Sequence, residues 1–324
     1  MLQSKQGRRT GAFALILTVG AMLAVVLGAD PAVAQEGSSE QGEKLSLFAA
    51  IVLGLVEGLT EYLPVSSTGH LLVTNKILGI GQTPEAEDAL ETYAIAIQIG
   101  AIFAVVVLYK DRIAQMMNGL LGRSVEGRKV MLAVIAAFVP TAIIGYALKG
   151  PVRENLFGVT PIAAAWLVGG LAILLIGRAG FMRSGGEGRS GIDLGDISTR
   201  QAVMIGVAQC LALWPGTSRS LITILAALVV GLSLRAAVEF SFLLGLVTLS
   251  AATVLSTYEG GADLVDQFGY VSPLVGLVVA FFAALASIKW MVSWLEERTF
   301  DVFGYYRIAI GLAAFAAVGV GWLE

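Results

Sequence analysis

The sequence predicts an all-α, polytopic membrane protein: six transmembrane helices plus two re-entrant helical hairpins, arranged as an inverted-topology repeat. Three observations predict it. Hydrophobic residues make up 56% of the 324 and charged residues only 14%, against ~25% charged in soluble domains; mean hydropathy is +0.81. Six apolar stretches are long enough to cross a bilayer, which takes ~20 helical residues. Two polar segments, GLVEGLTEYLPVSSTGH (Gly54–His70) and GVAQCLALWPGTSRSLIT (Gly206–Thr223), recur 152 residues apart, with Glu57 matching Gln209 and Ser66-Ser67 matching Ser218-Arg219.

Each element follows from its residues. At the start, Lys5, Arg8 and Arg9 precede the apolar run Gly11–Gly28 and an Ala32-Val33-Ala34 site. Residues 1–34 therefore read as a signal peptide, with an uncleaved extra helix as the alternative. Residues 35–45 read as a polar linker, and 46–324 as the membrane domain, its repeats spanning about 46–178 and 200–323. The spans fall near 90–109, 130–148, 161–177, 236–256, 273–294 and 304–322. The arms around the polar segments (47–63, 68–80, 201–213 and 220–232) are too short to cross, and Pro64 or Pro215-Gly216 breaks them. Paired short, interrupted segments in two halves point to re-entrant hairpins and to a binding site between them.

Loop charge sets orientation. The 110–129 loop (Lys110, Arg112, Arg123, Arg128, Lys129) and the 178–200 loop (Arg178, Arg183, Arg189, Arg200) are basic and read as cytoplasmic. The 81–91 and 257–272 loops carry acids and no base, and read as external. The first hairpin then enters from outside and the second from the cytoplasm. Glu91 and Glu239 precede matching spans and are expected to face a central cavity; Gly169-Gly170 is expected to mark close helix packing.

Composition also excludes functions. A net charge of −3 without a basic cluster argues against a nucleic-acid partner. With Cys210 as the single cysteine and His70 as the single histidine, neither an internal disulfide nor a zinc site of several Cys and His ligands can form. Any metal would be a hard cation on carboxylates.

Glu57 and Glu61, four apart, share a helix face and need a compensating divalent cation, arginine or shared proton. Ser66, Ser67 and Thr68 form a hydroxyl-rich tip, readable as a helix cap or as an anion site. His70 follows Ser67 by three residues, and an unperturbed imidazole can titrate near neutral pH. In the second segment Arg219 offers a bidentate phosphate grip, with Gly216, Thr217, Ser218, Ser220 and Thr223 around it. Tyr62 and Trp214 occupy matching positions and read as packing residues. Together these groups read as phosphoryl chemistry, with His70 either deprotonating Ser67 or activating water. The rival is a polyprenyl-phosphate lipid flippase, since inverted repeats are transporter architecture.

EGLTEYLPVSSTGH and LALWPGTSRS closely resemble the signatures of the bacitracin-resistance family of undecaprenyl-diphosphate phosphatases, and the resemblance runs over about 46–322. It implies an integral enzyme of the bacterial inner membrane that removes one phosphate from the C55 carrier lipid for cell-wall synthesis; by the loop-charge argument its active site is expected to face outward. It further implies Glu57 and Glu61 as an acidic pair tied to Mg²⁺ or Ca²⁺, Ser67 as nucleophile or phosphate ligand, His70 as catalytic histidine, and Arg219 with Ser218 and Ser220 as the diphosphate loop. The N-terminal extension departs from typical members. Among protein partners, only a homodimer is left open.

Overall fold

The computed structural model describes residues 45–81, 83–179 and 191–323. The signal-peptide and most of the linker reading lie outside these residues. Eleven α-helices are described: α1 (Leu47–Thr60), α2 (Ser67–Leu78), α3 (Pro84–Leu108), α4 (Lys110–Leu120), α5 (Val125–Leu156), α6 (Val159–Arg178), α7 (Thr199–Gln209), α8 (Arg219–Val229), α9 (Leu234–Phe268), α10 (Val271–Glu297) and α11 (Asp301–Gly319). Among the described residues the extended structure amounts to one isolated bridge, Ile192 to Leu232.

Helix starts are set by hydroxyl caps, which satisfy otherwise orphaned first-turn amides. Ser46 accepts from Ala49 N at 3.1 Å, Thr83 from Ala86 N at 3.2 Å, Ser124 from Gly127 N at 3.0 Å and Ser233 from Ala236 N at 3.2 Å. Ser198 and Gln201 form a reciprocal capping box at α7. Gly79, at φ 65°, closes α2.

Six helices are long and apolar enough to cross a membrane, over Glu85–Leu108, Val125–Leu156, Val159–Arg178, Leu234–Glu259, Val271–Leu295 and Asp301–Gly319. These are the six expected spans. Two helices differ most: α5 runs past both ends of its expected segment and through Pro140 and Pro151, and α9 continues to Phe268. One helix was not foreseen: α4 lies in what reads as a charged loop, where Met116 buries itself as the helix packs along α5.

The short pairs α1–α2 and α7–α8 flank the two polar segments. Their packing crosses the halves of the chain. α1 lies along α10, and α11 along α6. Gly58 permits the first contact: a Cβ there would stand 2.3 Å from the Ala280 carbonyl oxygen. Apolar side chains such as Phe103, Ile143, Leu171 and Phe282 remain exposed on the spans, as expected of surfaces solvated by lipid.

Candidate active site

Both polar segments break helix in the same way. Among the described residues only two non-glycine residues have positive φ, Ser66 and Ser218, each at 74°, and they are the two serines that the repeat aligns. Each immediately precedes the helix that carries the chemistry: α2 opens at Ser67 and α8 at Arg219. A non-glycine residue in this region stores roughly 1–3 kcal/mol of strain unless its surroundings over-determine it. Here the surroundings do.

Irregular backbone at membrane depth needs donors from protein, and the first turn receives one for each of four consecutive carbonyls. Ser220 Oγ donates to Leu63 O at 3.0 Å, and Arg307 Nη1 to Pro64 O at 3.1 Å. Trp166 Nε1 donates to Val65 O at 3.0 Å, and His70 Nδ1 to Ser66 O at 2.6 Å. Arg307 Nη2 also reaches Gly216 O in the second turn at 2.8 Å and Ala165 O at 2.9 Å. One guanidinium thus ties both turns together.

Arg307 is completely buried, and no carboxylate pairs with it among the described residues. Its guanidinium lies on Gly169, where a Cβ would stand 2.4 Å from Nη2. Gly169 was read as helix packing; its main work is to make room for this side chain, while Gly170 meets Gly304 O across α6 and α11. Arg307 lies outside both motifs and is not among the residues the sequence singled out. The available signal was a lone charge in mid-span, which marks a functional position by default.

The two motifs meet at Glu61. Ser67 Oγ donates to Glu61 Oε2, and Arg219 Nη2 donates to Glu61 Oε1 at 3.1 Å. Arg219 is further held by the Ser241 carbonyl at 3.1 Å and by the ring of Tyr62, 5.5 Å from Cζ. Gly245 gives it room, since a Cβ there would stand 2.1 Å from Nη1. Thr223 backs the arginine, bonding Ser241 Oγ at 2.6 Å and the Arg219 carbonyl at 2.9 Å. Ser218 caps α8 through Leu221 N at 3.3 Å and bonds Ser220 at 3.0 Å.

The spacing of three residues places His70 near Ser67, but their hydrogen bonds go elsewhere. The Ser66 carbonyl can only accept, so Nδ1 carries the proton; Nε2 then accepts from Tyr306 Oη at 2.6 Å. Tyr306 also stacks on the imidazole, with centroids 5.8 Å apart. Tyr306 is a second residue that sequence reasoning missed.

A cavity of about 200 Å³ opens over this junction. Glu61, Ser66, Ser67, Thr68, Gly216, Ser218 and Arg219 line it, together with Gln98, Thr141, Gln209 and Thr248, which were not anticipated as lining. Gln209 bonds Thr141 at 2.8 Å. His70, Glu57, Thr217, Ser220 and Thr223 lie behind the lining or beside it. Glu91 and Glu239 are not in the cavity: each finds an arginine at its own end of the span, Glu91 with Arg153 at 3.2 Å and Glu239 with Arg112 at 2.6 Å.

Glu57 stands apart. It is fully buried, and neither carboxylate oxygen has a hydrogen-bond partner among the described residues. The charges of Glu61 and Arg219 are within electrostatic reach. Oxygen ligands without donors suit a hard divalent cation, so Glu57 fits one, while Glu61 would have to exchange a hydrogen bond to join it. No group of three His, Cys, Asp or Glu gathers among the described residues, and oxygens from substrate would have to complete the shell.

A membrane protein of apolar spans in which a serine, a carboxylate and an arginine converge from two interrupted helix pairs has the chemistry of a membrane-embedded enzyme of phosphoryl transfer. The sequence comparisons narrow this. The family described as "Bacitracin resistance protein BacA" matches residues 50–313, and the chain belongs to that family. It is 41% identical to the undecaprenyl-diphosphatase of Sorangium cellulosum over 266 residues, 82% of this chain and 84% of the relative. It is 39% identical to that of Methylibium petroleiphilum over 286 residues, 86% and 98% of the two chains. With undecaprenyl-diphosphatase 2 of Rhodospirillum rubrum the identity is 38%, over 85% of this chain and 96% of the relative.

Proposed function

We propose that this protein hydrolyses undecaprenyl diphosphate to undecaprenyl phosphate and inorganic phosphate in the bacterial inner membrane. The observation that carries the mechanism is the double engagement of Glu61, by Ser67 from one turn and by Arg219 from the other. Ser67 Oγ is the nucleophile and Glu61 Oε2 takes its proton, because that carboxylate already accepts the Ser67 hydrogen bond. The Oγ–P bond forms at the terminal phosphorus as the anhydride P–O bond breaks, and undecaprenyl phosphate leaves. Water then displaces the serine, and the proton on Glu61 returns to Oγ.

Arg219 neutralises charge on the transferring phosphoryl group, a transfer that depends mainly on positioning and electrostatics. Ser218, Thr68 and the Gly216 backbone border the same cavity and orient the diphosphate. His70 holds the Ser66 backbone and, through Tyr306, is kept as the Nδ1–H tautomer. Both ring nitrogens are occupied, which favours Ser67 over water activated by His70. Glu57 and Glu61 are the residues that would hold Mg²⁺ or Ca²⁺. When bound, such an ion offsets negative charge on phosphate oxygens. The positive charge of the 110–129 and 178–200 segments supports a reaction on the extracytoplasmic face, with the first polar segment opening outward.

The test is phosphate release from a polyprenyl diphosphate by purified protein, with and without EDTA, followed by recovery of labelled phosphoserine from quenched enzyme. Ser67→Ala is expected to abolish both signals while the protein remains folded and monodisperse. A Ser67→Ala protein that still turned over at a substantial rate would overturn the serine route and leave direct attack by water. Lack of phosphate release from wild-type protein would overturn the assignment itself.

A further inference from the structure

A second cavity of about 810 Å³ lies among the α3–α4 junction, the start of α9 and the end of α10. It shares no lining residue with the catalytic cavity. Three cations line it, and they differ in how they are used. Arg112 is committed to the protein: Nε bonds Glu239 at 2.6 Å and Nη1 bonds Glu126 at 2.7 Å. Arg235 and Lys289 are exposed and form no ion pair with a described residue. The lining holds three bases against two acids, Asp111 and Glu239, a net charge of +1.

Three further features agree. Arg235 sits in the first turn of the 35-residue α9, whose N-terminal amides add partial positive charge. Val238 and Val292 form apolar wall beside the two free cations. Finally, the cavity opens at the start of α4, in the basic 110–129 segment that loop charge assigns to the cytoplasmic side. A basic pocket between spans on that side, with hydrocarbon wall, matches the chemistry of a phosphate-headed lipid.

We propose that this cavity binds an anionic phospholipid of the cytoplasmic leaflet, with Arg235 and Lys289 on the phosphate and acyl chain over Val238 and Val292. The site is independent of the phosphatase reading. Full-length protein in a neutral detergent is titrated with phosphatidylglycerol, phosphatidylcholine or glycerol 1-phosphate, and bound lipid is counted by native mass spectrometry alongside the melting temperature. Phosphatidylglycerol is expected to bind and raise the melting temperature, and phosphatidylcholine to do neither.

The double substitution Arg235→Gln, Lys289→Gln is expected to weaken phosphatidylglycerol binding roughly thirtyfold, each near-surface cation being worth about fivefold. Its phosphate release in lipid-free detergent stays at the wild-type rate. The single Lys289→Gln protein, expected to lose about fivefold, serves if the double variant is unstable. Equal binding of the two lipids, or undiminished phosphatidylglycerol binding by the variants, overturns the site. A stabilisation by glycerol 1-phosphate equal to that by the lipid overturns the lipid as occupant and leaves a free-phosphate site.

Discussion

Glu61 is the residue on which the two halves of the chain agree, since its two oxygens are spoken for by opposite motifs. Breaking a buried ion pair by removing one partner costs ~3–5 kcal/mol, because the surviving charge is left uncompensated. Glu61→Gln is therefore expected to lower the melting temperature and to cut phosphate release by about 10²–10⁴, the usual range for loss of a general base. Arg307 makes a different prediction. Arg307→Lys keeps the charge but cannot reach Pro64, Ala165 and Gly216 together, so turnover should fall by about 10²-fold, as for loss of one aimed donor, while KM changes little. Arg307→Gln should fall further, and a parallel fall in binding of a substrate analogue would argue against a purely positioning role. The acidic, hydroxyl and guanidinium groups of the motifs were legible in the sequence because each is costly in an apolar chain. Their pairing was not. In α2 a side chain leans back toward the N-terminus, which sends the His70 ring to the carbonyl of Ser66 rather than to the hydroxyl of Ser67.

At the scale of elements, the two turns show how an irregular backbone is kept at depth. Ser66 makes no side-chain capping bond, so its side chain does not explain its φ of 74°. Glycine adopts that conformation without strain. Ser66→Gly is thus expected to fold with equal or higher stability, and Ser66→Val to lose roughly 1–3 kcal/mol, both read from thermal unfolding. Gly169→Ala should imitate Arg307→Lys, because the added methyl displaces the guanidinium it would touch. The double variant Gly169→Ala, Arg307→Lys should be less impaired than the two single losses combined, since a slimmer ammonium no longer needs the glycine. Additive losses would separate the two residues. The six spans and the short interrupted helices between them were legible because length and hydropathy decide them. α4 was hidden because its outward face is as polar as a loop, and only packing against α5 makes it a helix. The donors that hold the first turn come from as far along the chain as Arg307, and no local pattern announces such a contact.

For the whole molecule, loop charge predicts an orientation that the single cysteine makes easy to check. In a Cys210→Ser background, Glu85→Cys is expected to react with an impermeant maleimide in intact spheroplasts, and Arg123→Cys only after lysis. The opposite pattern would reverse the side on which phosphate is released. The cross-packing of the halves has its own consequence. α1 emerges among the first helices of the membrane domain, yet its long neighbour α10 is synthesised more than 200 residues later. The guanidinium that quiets the first turn arrives later still. Early segments must therefore wait in the lipid half-buried, their turns provisionally hydrated, until the last two helices dock. A nascent chain stalled before Val271 should be a ready substrate for membrane quality-control proteases, and loss of even the final helix should leave a polypeptide that inserts but never matures.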